Sequence, residues 1–272
     1  MTERMPAWFL AHGSPLHLLG DQPVRLFWQQ LPQGLQRQPR AILCLSAHWL
    51  TRAPYLAGDV ATPQIQYDFY GFPEALYHIQ WPLEGEPATA KWLKSLLQGL
   101  LPELEVFPDR PIDHGVWVPL LSAWPKPGFP IYQLSLCPER GTRWHLELGR
   151  RLAPLRAEGV LIIGSGGIVH NLARIDWQAK CGDPSPWAAT FMQAIEAAIV
   201  QGDFEALCDP RSLPHGRDCV PTIEHYLPLL VVLGTCTDGK QVRPLYKDWE
   251  YGSLALHSYA ITGPTTDKVP NI

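Results

Sequence analysis

Short apolar runs alternate along this chain with longer stretches of helical spacing. Ala7–Ala11, Ala41–Leu45, Ile131–Leu136 and Val160–Ile163 are mostly apolar without strict alternation. Such runs suit strands covered on both faces. Between them, Ala88–Leu101 sets Trp92, Leu93, Leu96, Leu97 and Leu100 on one stripe, and His145–Arg156 places Leu146, Leu148, Leu152 and Leu155 less regularly. A further helix is predicted over Pro186–Val200, with Ser185 as its N-cap and Gly202 after its end. Strand alternating with helix predicts an α/β fold: a mostly parallel central sheet with helices on both faces. Ser253–Ile261 alternates more clearly and reads as a later or edge strand. The chain has no internal repeat, low-complexity tract or Gly/Ser linker. One domain over residues 1–272 is therefore expected, near the size at which single cores stop growing (~250–300 residues).

Composition narrows the function. Hydrophobic residues make up 46% and charged residues 18%, which excludes an intrinsically disordered chain. Net charge is -4 and no run of Lys or Arg exceeds two residues, so no basic stripe offers itself to nucleic acid or an anionic membrane. The longest apolar stretch, Tyr226–Gly234, is interrupted by Pro228 and has half the length that spans a bilayer. The first residues lack the apolar region of a signal peptide. Six scattered cysteines without a C-x-x-C pair read as reduced thiols, and a cytoplasmic protein is expected. The 28 prolines imply long, fixed loops, where sites tend to sit.

Three of the ten histidines stand just beyond apolar runs: His12 in His12-Gly-Ser-Pro15, His48 in Ser46-Ala-His-Trp49, and His170 after Gly164-Ser-Gly-Gly167. Ligands of open α/β sheets bind outside the carboxyl ends of the strands. Imidazoles converging there would suit a divalent metal such as Zn, Fe, Cu or Ni. No H-x-x-x-H or H-E-x-x-H pair supports this locally, so the repetition carries the reading. Asp113-His114-Gly115 puts a carboxylate beside an imidazole, then a glycine that permits close backbone approach. Glu224 and His225 open an apolar segment predicted to be helical, with Pro221 near its first turn; on a helix only one of the two faces a shared centre easily. His17, His78, His145, His215 and His257 have no comparable context and read as surface or structural residues.

The glycines at 164–167 match neither a dinucleotide fingerprint, where Val169 occupies the third glycine position, nor a P-loop or nucleophile elbow. They read as a sharp turn at a strand end that brings His170 into the crevice. Tyr67-Asp-Phe-Tyr-Gly-Phe-Pro73 is an aromatic loop, either packing over the sheet end or walling a pocket for a flat ring.

Taken together, these segments resemble the 4,5-DOPA extradiol dioxygenase group of the class III, LigB-like ring-cleaving dioxygenases. The matching stretches are His12-Gly-Ser-Pro15, Ser46-Ala-His-Trp49, Tyr67–Pro73, Asp113–Leu120, Gly164–Leu172 and Pro221–Leu230, in family order over most of the chain. The resemblance implies a non-haem Fe(II) enzyme that opens a catechol ring beside its two hydroxyls, inserting both atoms of O2. It implies His12, His48 and His225 as metal ligands, His170 as a base or additional ligand, and His114 as a second acid/base. Glu224 in place of His225 would restore the two-histidine, one-carboxylate pattern common for non-haem iron; the reading takes His225. Fe(II) is expected for activity, and the same site can hold Zn(II) in the protein as purified. With L-DOPA the implied product is the 4,5-seco compound, although no residue stands out as one that must recognise an amino-acid side chain, and Arg174 reads as a solvated helix residue. A monomer or small homo-oligomer acting on a small catechol and O2 is expected. The rival readings are a tetrapyrrole metal chelatase, which leaves His48, His114 and His225 unexplained, and a zinc-dependent hydrolase or binding protein on a similar fold.

Overall fold

The computed structural model describes residues 4–179, 182–236 and 242–262. In chain order its strands are β1 (Ala7–Ala11), β2 (Ala41–Ser46), β3 (Tyr55–Ala57), β4 (Glu105–Val106), β5 (Ile131–Leu134), β6 (Val160–Gly166), β7 (Val242–Tyr246), β8 (Trp249–Glu250), β9 (Leu254–Ala255) and β10 (Ser258–Ile261). Its α-helices are α1 (Pro23–Gln30), α2 (Pro87–Leu100), α3 (His114–Ala123), α4 (Gly141–Leu152), α5 (Pro186–Gln201), α6 (Gly216–Cys219) and α7 (Leu227–Gly234). Eight strands form one sheet in the order β4-β3-β5-β2-β6-β1-β10-β7, and β8 and β9 pair separately. The centre of the sheet, β5-β2-β6-β1, is parallel throughout. This is the mixed, mostly parallel α/β architecture expected from the alternation of strands and helices.

The apolar runs lack a polar face because both faces of the sheet are covered. Ala7, Phe9, Leu43, Leu45 and Ile162 join one core with residues of α2, α4, α5 and α7. Trp8, Leu10, Ile42, Cys44, Leu161 and Ile163 join a second core with residues of α1 and α3. Helices α3 and α7 are apolar nearly all round and buried along almost their whole length, as the absence of a polar stripe requires. Among the described residues no helix is long and apolar enough to cross a membrane.

One expectation needs correction and two are met with a difference in detail. The stretch Ser253–Ile261, expected as a later or edge strand, is a late one and not an edge: it divides into β9 and β10, and β10 lies fully buried between β1 and β7, antiparallel to both. The glycines after Ile163 do not form a turn; β6 runs through Gly164 and Ser165 to Gly166. They are glycines because the segment leading into α7 crosses directly over the strand. A Cβ at Gly164 would lie 2.5 Å from the Pro228 carbonyl oxygen, and one at Gly166 would lie 2.2 Å from that of His225. Ser185 does stand at the N-cap of α5, as expected, although its side chain makes no capping hydrogen bond. Gly202 does end that helix, in the left-handed conformation (φ 73°).

Register places the site. At the carboxyl ends of the parallel strands, Ala11 of β1 pairs with Gly166 of β6, and Ser46 of β2 pairs with Ser165 of β6. His12 and His48 follow these ends immediately, so two chain segments far apart in sequence deliver imidazoles to one spot.

Candidate metal centre

Imidazoles from five segments meet there. The ring nitrogens of His12, His48 and His225 include one from each residue that all lie within 4.8 Å of one another. His12 Nε2 and His48 Nε2 are 3.1 Å apart. His114 lies beside His48 with ring centroids 4.0 Å apart, and His170 stacks on His225 at 3.6 Å with the rings 6° from parallel. His225 is not inside a helix as expected; it precedes α7 in a turn, and Pro228 stands in the first turn instead of Pro221. Its carbonyl accepts from the Gly167 N–H at 2.8 Å, which ties the segment to the end of β6.

Hydrogen bonds behind the rings set their tautomers. Ser165 Oγ donates to the Gly115 carbonyl, leaving its oxygen to accept from His12 Nδ1 at 2.9 Å. The proton of His12 is thereby placed on Nδ1, and the Nε2 lone pair faces the centre. Glu224 Oε1 lies 3.3 Å from His225 Nδ1 and accepts from Thr222 Oγ1 at 2.7 Å. Burial alone would raise the Glu224 pKa, but the hydrogen bonds from His225 and Thr222 outweigh it and pull it down to about 2. Glu224 therefore stands behind His225 as an ionised acceptor, while His225 Nε2 is buried without a hydrogen-bond partner. A carboxylate behind a ligating imidazole is the usual way such a ring is aimed.

Burial keeps His12, His48 and His170 neutral. It pushes His12 well below the ordinary histidine range, helped by the neighbouring His48. Burial and then His114 push His48 down to about 2, and burial and then His225 push His170 down to about 3. Neutral imidazole is the form that binds metals or accepts a proton. His170 lies outside the group of mutually close nitrogens, and its backbone N–H donates to the Cys219 carbonyl at 3.0 Å.

The expected pairing of Asp113 with His114 does not occur. The Asp113 side chain is fully buried and turned away, accepting from Ser46 Oγ at 2.6 Å, Gln133 Nε2 at 2.7 Å and Arg110 Nη2 at 3.3 Å. It fastens the start of α3 to β2 and β5. Asp68 takes the place beside the imidazole: its Oδ1 accepts from the His114 backbone N–H at 2.9 Å, and its Oδ2 lies 3.0 Å from Nδ1. Burial would raise Asp68, but His114 outweighs it and leaves the carboxyl below its usual value. The sequence assigns no such roles to Asp68, Ser165 or Ser46, and only Asp68 carries a signal, as the one acid in the aromatic loop. Gly115 does permit a close approach, since a Cβ there would lie 2.5 Å from Ser46 Oγ.

These rings floor a cavity of about 330 Å³. Phe69 and Phe72 of the aromatic loop wall one side, and Val169, Leu172, Leu254 and Leu256 line the remainder. The arrangement can seat a divalent ion at the bottom of an apolar slot wide enough for one substituted aromatic ring.

Fold and site thus define an α/β protein with a nest of imidazoles, fit for a divalent metal, at the carboxyl ends of its parallel strands. The family model described as the catalytic LigB subunit of aromatic ring-opening dioxygenase matches residues 6–256. The chain is 40% identical over 266 residues to the 4,5-DOPA dioxygenase extradiol of Escherichia coli K12, with 96% of each chain covered. It is 33% identical over 260 residues to the 4,5-DOPA dioxygenase extradiol of Beta vulgaris, covering 94% of this chain and 96% of that one. A crystal structure of an uncharacterized protein from Escherichia coli K12 matches with a TM-score of 0.78 at 36% identity, over 95% of this chain and 100% of that one. The chain belongs to the LigB family and is an extradiol ring-cleaving dioxygenase. The chelatase and zinc-hydrolase readings fall away.

Proposed function

We propose that this enzyme opens a catechol, DOPA or a related compound, with O2 at a non-haem Fe(II) held by His12, His48 and His225, and that residues 1–272 act as one catalytic unit. The observation that carries the reading is the convergence of imidazole nitrogens on the cavity floor. His12 presents a lone pair 3.1 Å from a ring nitrogen of His48, a spacing that a shared proton or a cation between them satisfies, and His225 Nε2 is buried with no hydrogen-bond partner. Both features fit a dication. All-imidazole donors also suit Zn(II), which accounts for the expectation of zinc in purified protein.

Bound Fe(II) would supply a Lewis-acid seat for two catechol oxygens and a path for electrons from ring to O2. The remaining work falls to the chain. A catechol must lose protons to chelate, and His170, neutral and stacked on His225, is the group placed to take one. His114 is held against Asp68 and faces the same cavity; it is positioned to return a proton as the ring opens. Phe69 and Phe72 clamp the ring plane and exclude water. Overall, one catechol and one O2 give one ring-opened product that retains both oxygen atoms.

The test is O2 uptake after anaerobic Fe(II) loading, with L-DOPA and simple catechols, following the yellow ring-opened product. Iron-dependent uptake matched one-to-one by product is expected. No uptake with any catechol, despite bound iron confirmed by elemental analysis, would overturn the reading.

A further inference from the structure

Behind the imidazoles, Arg110 and Gln133 are polar groups that the reaction described above leaves unused. Gln133 is a buried amide on β5. Its Oε1 accepts from Arg110 Nη1 at 3.1 Å, and its Nε2 donates to Asp113 Oδ2 at 2.7 Å. Arg110 spans the same group: Nη2 donates to Asp113 Oδ2 at 3.3 Å and to the His48 carbonyl at 3.4 Å, and the guanidinium lies 4.4 Å over the Trp49 ring. Ser46 Oγ completes the cluster, donating to Asp113 Oδ1 at 2.6 Å and accepting the His48 N–H at 3.2 Å. His48 stands in a turn just past β2, outside the strand ladder. Both of its backbone polar groups are thus held by side chains of one cluster, which also grips Asp113, the residue before α3. His114 opens α3, and its ring centroid lies 4.0 Å from that of His48. Among the described residues, no backbone hydrogen bond joins the turn at 47–49 to residues 110–116. The two segments that bring these imidazoles together are therefore tied through side chains.

We propose that Arg110 is a positioning residue: its guanidinium fork, with Gln133 and Asp113, fixes the spacing between the ring of His48 and that of His114. The inference rests on the reading above, in which His48 holds the metal and His114 returns a proton. Stability alone does not account for the cluster. An ion pair taken out of water recovers little more than its desolvation cost, and apolar residues of similar volume often serve as well. What a planar fork of donors supplies is direction. A shift of about 1 Å between catalytic groups can cost ~10²-fold in rate, so direction at this place matters to turnover. Lysine would keep the charge but, as a point charge on a flexible stem, would lose both the fork and the stacking on Trp49.

The test uses Arg110→Lys in the full chain, alone and combined with His114→Ala. Alone, it should lower kcat ~10²-fold with KM changed less than ~3-fold, because the cavity walls are untouched. With His114 removed there is no spacing left to disturb, and the same substitution should cost less than ~3-fold. A purely structural role would cost the same factor in both backgrounds. The spacing itself is read without turnover, from nuclear Overhauser contacts between ring protons of His48 and His114 in the Zn(II)-loaded protein. These contacts should weaken in Arg110→Lys. Gln133→Met keeps the volume and the direct contact of Arg110 with Asp113, and is the second variant. It should lower kcat ~10-fold with the same dependence on His114, and it carries the test where Arg110→Lys does not fold. Unchanged kcat and unchanged ring contacts would overturn the proposal, as would equal costs with and without His114. Absence of O2 uptake by the wild type with every catechol would defeat the catechol reading, while the ring contacts would still report whether Arg110 sets the spacing.

Discussion

Gly166→Ala puts a single methyl where β6 meets the turn that carries His225. The new Cβ would lie 2.2 Å from the His225 carbonyl oxygen, 3.1 Å from Pro228 Cγ and 3.2 Å from the His225 carbonyl carbon, whereas ordinary contact begins at 3.4 Å. Relief therefore requires the His225 backbone to retreat by roughly 1.2 Å, a distance at which a catalytic group can lose ~10²-fold in rate. Retreat is obstructed from behind. Helix α7 is pinned against α4 by a second pair of glycine contacts, since a Cβ at Gly149 would lie 2.0 Å from the Val231 carbonyl oxygen and one at Gly234 would lie 2.1 Å from that of Leu146. The variant should thus lose ~1–3 kcal/mol as overpacking strain. It should melt lower by about 2–4 °C per kcal/mol. It should also bind metal more weakly and lose ~10²-fold in kcat/KM. Gly167→Ala is the control: its Cβ would meet nothing nearer than His170 Cβ at 3.6 Å, so both metal and melting temperature should stay near wild type. Elemental analysis after gel filtration, thermal unfolding and O2 uptake read the three quantities. Full metal content, unchanged melting and unchanged turnover in Gly166→Ala would refute the account of why β6 ends in glycines.

Further outcomes follow from the centre and from one buried histidine outside it. His12→Ala and His48→Ala should each lose metal and activity together; full metal retention in either removes that residue from the ligand set. His114→Ala should keep its metal yet lose ~10²–10⁴-fold in turnover, the usual weight of a proton-transfer group, and an unchanged rate removes it from the mechanism. Glu224→Gln should weaken metal affinity by ~10–100-fold, the effect of losing an outer-shell partner, and equal affinity by competition with a chelator would show that His225 needs no such support. His145 donates Nδ1–H to the Gly141 carbonyl and accepts the Cys137 N–H on Nε2, and burial holds its pKa down to about 4. The unfolded chain takes up that proton near pH 6.5 and the folded one does not, so folded stability is full above ~6.5 and falls as pH drops toward 4. Between pH 7 and pH 5 the wild type should lose ~2 kcal/mol more than His145→Gln in urea unfolding; equal losses would show that His145 does not set this slope.

What could be read from the sequence follows the range of each interaction. The central strands are legible because two-sided burial leaves uninterrupted apolar runs, and α2 is legible because its stripe is local. The glycines of β6 suggest a turn in the sequence, whereas their reason is the α7 approach some sixty residues later in the chain. Adjacency also misled at Asp113: the start of α3 sends consecutive side chains to different sides, so Asp113 turns to Ser46 and Gln133 while His114 finds Asp68 across a loop. The burial of β10 was hidden because its alternation mimics a half-exposed strand, and only β7 on its far side closes it. The convergence of His12, His48 and His170 could be anticipated from strand ends alone. What each ring leans on, Ser165 or Glu224, is a tertiary fact.

The strand order has a consequence for how the chain is made. Trp8, Phe9 and Leu10 of β1 end almost wholly buried between β6 and β10, strands that begin at residues 160 and 258. At synthesis rates of ~5–20 residues per second, this apolar N-terminal segment waits roughly 7–30 s for its first neighbour and still longer for its second. During that interval it is a sticky, unpaired edge. The nascent chain cannot gather its imidazoles until residue 225 has been made, so the site is among the last features of the fold to form.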